Sequence, residues 1–263
     1  MIFNNYGDKN LVILCAGDNP AHGFLQDTSF RKFDLLIFYY GSNPNEFKNK
    51  YNNFNFFHEK KGYKFHLIKD FYQENPKFFK KYKNIFIPDD DIIIKNEEIN
   101  NLFNIFNNHK LILAQPSLIG YYSHKITLHR FEFNLRFTNF VEIMMPCFSS
   151  DTFAKCVHTF DQSPIGHGLD YLWPKILDYP SNKIAIIDEI IALHPKKVGE
   201  SNLYKNNNPE FLSDFMYKNG LDSGKQNVLG KIDNNNFEKS TFDEKFYPYC
   251  KTFKNIFENI NKL

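Results

Sequence analysis

Asp89, Asp90 and Asp91 stand together between Pro88 and a run of three isoleucines, in the stretch IFIPDDDIII. Adjacent carboxylates repel one another, and burying one without compensation costs several kcal/mol. Such a run has two physical homes. One is a solvated loop or helix N-terminus, where the carboxylates only cap the helix expected from Asn96 onward. The other is a divalent cation site, where the metal supplies the missing charge. The residues before the run read as a buried strand, and apolar residues resume at once after it. That position favours the cation site. The spaced ligands, central Gly and closing Glu of an EF-hand loop are absent.

A second carboxylate sits in unexpected company. Glu142 interrupts the otherwise apolar NFVEIMMPCF. A charge in a buried segment is either paired structurally or used, here to bind an acceptor hydroxyl or take its proton. His124, His129 and Arg130 lie in an aromatic loop, YYSHKITLHRFEFNLRF, which could cover a ligand or simply face solvent.

The elements that must position these groups follow from hydropathy patterning. LVILCAG (Leu11–Gly17), FDLLIFYYG (Phe33–Gly41), NIFIP (Asn84–Pro88), KLILAQP (Lys110–Pro116), FVEIMMPCFS (Phe140–Ser149) and KIAIIDEIIALHP (Lys183–Pro195) are short apolar runs and read as buried strands. NEEINNLFNIFNNH has helical apolar spacing. A segment that starts extended turns helical after Gly62 and restarts after Asn75-Pro76. SDTFAKCVHTF reads as a helix capped by Ser150 or Asp151, and LDYLWPKIL as a short helix after a glycine-containing loop. Buried strands alternating with helices imply an α/β fold with a mostly parallel sheet flanked by helices. Ligands in such folds bind beyond the carboxyl ends of the strands, which is where the acidic triplet falls. From about Lys196 the composition turns to Asn, Lys and Ser, and a short C-terminal helix is expected at YCKTFKNIFENINKL. The expected organisation is one domain over residues 1–199 and a partly helical extension over 200–263.

A strand ending in Asp-x-Asp within such a sheet resembles the metal motif of GT-A glycosyltransferases. Four further stretches strengthen the likeness: KFHLIKDFYQENPKFFKKYKNIFIPDDDI, AQPSL, NFVEIMMPCFS, and GLDYLWP with AIIDEIIALHP. Together they resemble the GT-A-like domain-of-unknown-function family numbered 707, over roughly Asp34 to Gly199. The resemblance implies a single GT-A-like domain with a nucleotide-binding sheet. It implies transfer of a sugar, with inversion, from a nucleotide-diphosphate-sugar to a glycan or glycolipid in surface polysaccharide assembly. It also implies Mn²⁺ or Mg²⁺ held by Asp89, Asp91 and His194, the last ending IALHP; the bland alternative for His194 is a backbone hydrogen bond. Asp170 matches the place of a catalytic base at a helix start, where it could equally be a cap, with Glu142 as the other candidate base. Gly17 and Asp18 would meet base and ribose, Lys64 and Asp89 the diphosphate end, and Gln115 the sugar. Each is otherwise an ordinary solvated or strand-end residue. Asp90 is expected to point away. Trp173 is either an acceptor platform or a core ring. The alternatives in other classes are a metal-dependent phosphate-processing enzyme such as a nucleotidyltransferase, and a non-catalytic nucleotide- or glycan-binding protein.

Composition narrows the partners. The 263 residues carry 32 Lys and Arg against 30 Asp and Glu, a net charge of +2, which argues against a nucleic-acid partner. Aromatic residues make up 17%, with 30 Phe, enough to build a core on rings. None of the four cysteines, Cys15, Cys147, Cys156 and Cys250, forms a CxxC pair, which favours a reducing, cytoplasmic setting. The first residues lack the pattern of a signal peptide, and no run reaches the ~18 apolar residues of a spanning helix. Lys and aromatic residues interleave in NPKFFKKYKNIF, which suits either a solvated helix face or peripheral contact with the inner membrane face.

Overall fold

A computed structural model describes residues 7–21, 25, 29–197, 209–222 and 226–234. Its strands are β1 (Lys9–Ala16), β2 (Asp34–Tyr39), β3 (Phe56–Glu59), β4 (Tyr82–Phe86), β5 (Leu113–Gly120), β6 (Phe133–Thr138), β7 (Cys147–Ser149), β8 (Ile184–His194) and β9 (Val228–Asp233). They form one sheet in the order β3-β2-β1-β4-β7-β5-β8-β6-β9. Following the ladders across the sheet, seven of the nine strands point the same way and only β6 and β7 are reversed.

Helices cover both faces. Along β1, Val12, Leu14 and Ala16 enter one apolar layer and Leu11, Ile13 and Cys15 the other. This is the two-residue period of a strand. Because both faces are buried, the strand reads as an unbroken apolar run rather than an alternation. Helices α1 (Pro44–Lys50) and α4 (Asn96–Asn108) close the first layer, where Ile99, Leu102, Phe103 and Phe106 form the apolar stripe of α4. The second layer holds α2 (Lys64–Glu74), α3 (Pro76–Phe79), α5 (Ser150–Cys156), α6 (Leu169–Ile176) and α7 (Pro209–Lys218). Trp173 is a core ring there. It is fully buried, packed edge-on against Phe65 and Phe148, with its indole N–H donated to Thr159 Oγ1 at 3.3 Å.

Three expectations change. Only Cys147–Ser149 of the run Phe140–Ser149 is a strand. Ahead of it, Pro146 and Met144 offer carbonyls to the N–H groups of Ile87 and Asp89 at 2.9 and 2.8 Å, but proline has no N–H to return. Ser149, not Ser150 or Asp151, caps α5 by accepting from the Thr152 N–H. The aromatic loop contains β6, whose Arg136 is buried and makes a two-pronged ion pair with Asp188 of β8 at 2.7 and 2.9 Å. His129 is likewise internal, 2.9 Å from Ser117 Oγ.

Within the segment expected as an extension, α7 packs Phe215 and Met216 into the second layer and β9 adds an edge to the sheet. The helix expected at the C-terminus lies outside the described residues.

Candidate active site

The carboxyl ends of β1, β4, β5 and β8 share one edge of the sheet. There the acidic triplet does not cap α4, whose own Glu98 accepts from the Lys95 N–H at 2.9 Å. Instead Ile93 and Leu193 exchange N–H···O bonds of 2.8 and 3.0 Å across the loop. That bridge sets Asp91 Oδ2 3.5 Å from His194 Nε2. His194 Nδ1 lies 2.9 Å from the Tyr121 carbonyl, which can only accept, so Nδ1 carries the proton and Nε2 faces the carboxylate. Burial would pull the imidazole down, but the Asp91 contact outweighs it and the net shift is upward. For Asp91 burial pushes up, His194 outweighs it, and the carboxyl ends below its ordinary range.

This pair fits a divalent cation: a carboxylate oxygen and an imidazole nitrogen point at one another, with the second ring nitrogen anchored on a carbonyl, as metal-binding histidines are. Asp89 does not complete the set in this arrangement. Its Oδ1 is engaged by the Lys64 ammonium, which also donates to the Ile143 carbonyl at 2.7 Å. Among the described residues no three His, Cys, Asp or Glu side chains are gathered to hold a metal. Burial, only partly offset by Lys64, pushes the Asp89 carboxyl up to about 6.

Behind this edge lies a pair of buried acids. Gly168, at φ 91°, caps α6 and places Asp170 in its first turn. A Cβ on Gly168 would meet the Phe215 ring at 2.5 Å, so the close approach of α7 also requires glycine. Burial pushes Glu142 up to about 7, a Ser123 hydrogen bond opposing. Its Oε2 is buried with no hydrogen-bond partner. Burial, and then the Glu142 charge, push Asp170 up to about 8. The two carboxyls are coupled, and the Glu142 charge opposes ionisation of Asp170.

The loop after β5 touches all three groups. Tyr121 holds His194 through its carbonyl, Ser123 bonds Glu142, and His124 Nε2 lies 3.7 Å from Asp170 Oδ2. The sequence offered His124 only as part of a loop that could cover a ligand, with no role of its own; Ser123-His124 stands three residues beyond the end of β5.

Asp89, Asp91, His194, Lys64, Glu142 and Asp170 thus gather at one edge. Gln115 is fully buried: its Oε1 accepts from the Glu142 N–H at 2.6 Å, so it positions that loop from behind. Asp18 is held by the Tyr39 hydroxyl and by the N–H groups of Ser42 and Asn43, which keep its carboxyl below the ordinary range. It fastens the loop after β2. Asp90, expected to point away idle, is tied down: its Oδ2 accepts from the Gly17 N–H at 2.9 Å and the Tyr40 hydroxyl at 2.6 Å. A concavity of about 540 Å³ lined by Lys9, Arg31 and Asp34 lies at the opposite, amino edge of the sheet.

No family model matches the chain, and no curated protein matches it in sequence, so the numbered family has no support from that side. Solved structures do match. A 1–349 fragment of S. aureus TarS in complex with UDP-GlcNAc superposes with a TM-score of 0.53 at 12% identity, over 80% of this chain and 65% of that one. A further structure of S. aureus TarS gives 0.50 at 11%, over 80% of this chain and 39% of that one. The chain has a GT-A-like fold. It spans under two thirds of the length of these neighbours. Among the described residues no helix is long and apolar enough to cross a membrane.

Proposed function

We propose that the chain is a glycosyltransferase that moves a sugar from a nucleotide-diphosphate-sugar to a hydroxyl of a glycan or glycolipid. One observation carries this reading: a cation-seeking pair, a lysine and two buried acids of raised pKa meet at the carboxyl edge of a GT-A-like sheet. The UDP-GlcNAc bound by a structural neighbour makes a uridine donor the first to try.

In this scheme Lys64 faces the donor diphosphate, steadied by Asp89 and the Ile143 carbonyl. Asp91 and His194 would hold Mn²⁺ or Mg²⁺, which when bound would neutralise the diphosphate. Asp170, ionised, accepts the acceptor hydroxyl proton. The acceptor oxygen then bonds the anomeric carbon on the face opposite the diphosphate. The anomeric carbon–oxygen bond breaks, and its electron pair leaves with the nucleoside diphosphate. Inversion follows from that single displacement. Glu142 lies beside Asp170, and its charge raises the pH at which that base ionises. Membrane association is part of the proposal only as the place where a glycolipid acceptor would be met.

The test is thermal stabilisation by a panel of nucleotide-sugars and nucleoside triphosphates, with and without Mn²⁺. A donor at ~100 times its dissociation constant adds ~2.7 kcal/mol. No response to any nucleotide, with or without the metal, sinks the reading. A response confined to nucleoside triphosphates turns it toward nucleotidyl transfer.

A further inference from the structure

We infer that His124 is a positioning residue for Asp170, and that Gln226, from the segment leading into β9, sets its tautomer. This deepens the reading of Asp170 as the base and rests on it for its catalytic meaning. Its structural content stands on contacts alone.

Gln226 Nε2 lies 2.7 Å from His124 Nδ1 and 2.7 Å from the Tyr171 hydroxyl. An amide nitrogen has two protons and no lone pair to offer, so both contacts are donations. Nδ1 is then an acceptor, and the one proton of the neutral ring sits on Nε2, the nitrogen 3.7 Å from Asp170 Oδ2. Burial and the neighbouring His167 pull the imidazole down to about 4, which keeps it neutral. The ring cannot turn freely, because it packs on Phe140 at 4.6 Å and on Tyr171 at 6.2 Å. The other oxygen, Asp170 Oδ1, accepts from the Tyr171 N–H at 3.1 Å. One carboxyl is thus addressed on each oxygen, by backbone on one side and imidazole on the other.

At 3.7 Å the Nε2–Oδ2 contact is not a closed hydrogen bond. A shift of about 0.7 Å brings it to ~3.0 Å, and catalytic contacts commonly tighten in this way when substrate binds. An N–H aimed at a carboxylate favours the ionised form. The ionised form is the one that can take a proton, and Glu142 opposes it. The charged and titratable groups facing this pair are Glu142 beside Asp170, and His167 and Tyr171 beside His124. His124 and Gln226 are 102 residues apart in the chain, so only the fold unites them.

The experiment uses the full chain. Long-range proton–nitrogen NMR of the wild type should show the His124 ring, assigned through its loss in His124→Gln, neutral and protonated on Nε2. In Gln226→Leu, which keeps the ring, the nitrogen shift of Nδ1 should move from that of a hydrogen-bonded acceptor to that of a free one. The carboxyl carbon of Asp170 should titrate at higher pH in His124→Ala than in wild type, with His124→Gln restoring part of the shift through its amide N–H. In transfer assays His124→Ala should lower kcat about 10- to 100-fold with little change in donor KM. A wild-type His124 protonated on Nδ1, or an Asp170 midpoint unmoved in both His124→Ala and Gln226→Leu, overturns the inference. The two NMR readouts need no turnover. Absence of transfer in wild type would therefore remove the proposed activity while the His124–Gln226–Asp170 geometry was still decided.

Discussion

Replacing Asp170 by Asn should make stability and activity diverge. Burial, then the Glu142 charge, move this carboxyl from an ordinary 3.8 to about 8. A raised folded-state value means the folded chain holds a proton that the unfolded chain has released. The contribution to stability is complete below about pH 4 and is lost as pH rises through about 8. Within that window one proton corresponds to ~1.4 kcal/mol per pH unit. Asparagine has nearly the same shape, can still accept from the Tyr171 N–H, and does not titrate. Between pH 5 and 7 the variant should therefore gain on wild type by roughly 2.7 kcal/mol. Glu142, at about 7, adds a similar slope to both proteins, so the difference isolates Asp170. The assay is urea unfolding at pH 5, 6 and 7 at constant ionic strength. Over the same range wild-type kcat/KM should climb towards an inflection near 8, and the variant should lose about 10²- to 10⁴-fold. A stability difference that stays flat between pH 5 and 7 refutes a buried, proton-holding Asp170. Full activity in the variant refutes its role as base.

Three further outcomes follow from named contacts. Asp91→Ala and His194→Ala should each weaken Mn²⁺ binding about 10-fold or more by calorimetry, whereas Asp89→Ala should act mainly on donor affinity by releasing Lys64; equal loss of metal in all three would show that Asp89 is a ligand as well. Asp188→Ala leaves the Arg136 guanidinium buried without its counter-charge and should cost about 3–5 kcal/mol in denaturant unfolding. Gly168→Ala combines a left-handed backbone with a Cβ driven into the Phe215 ring, and should cost about 1–3 kcal/mol and depress kcat by moving the start of α6.

The local order of this protein is written in local residues. Strands buried on both faces must be apolar throughout, so β1, β2, β4 and β8 are visible as runs, and α4 as a stripe. A carboxylate triplet closing such a run, and an aspartate opening a helix after Gly168, are visible for the same reason: each stands where its neighbours alone make it costly or conspicuous. What the tertiary structure decided is which of these groups meet. Asp91 reaches His194 only through the Ile93–Leu193 bridge, and Lys64 claims Asp89 only because α2 starts beside the loop after β4. Strand β6 was hidden because Arg136 breaks the hydropathy pattern, and its partner Asp188 lies 52 residues away. Gln226 carries no local mark at all. Hydropathy registers burial one residue at a time. A hydrogen bond between distant segments, such as that from Gln226 to His124, exists only once the chain has crossed back over itself.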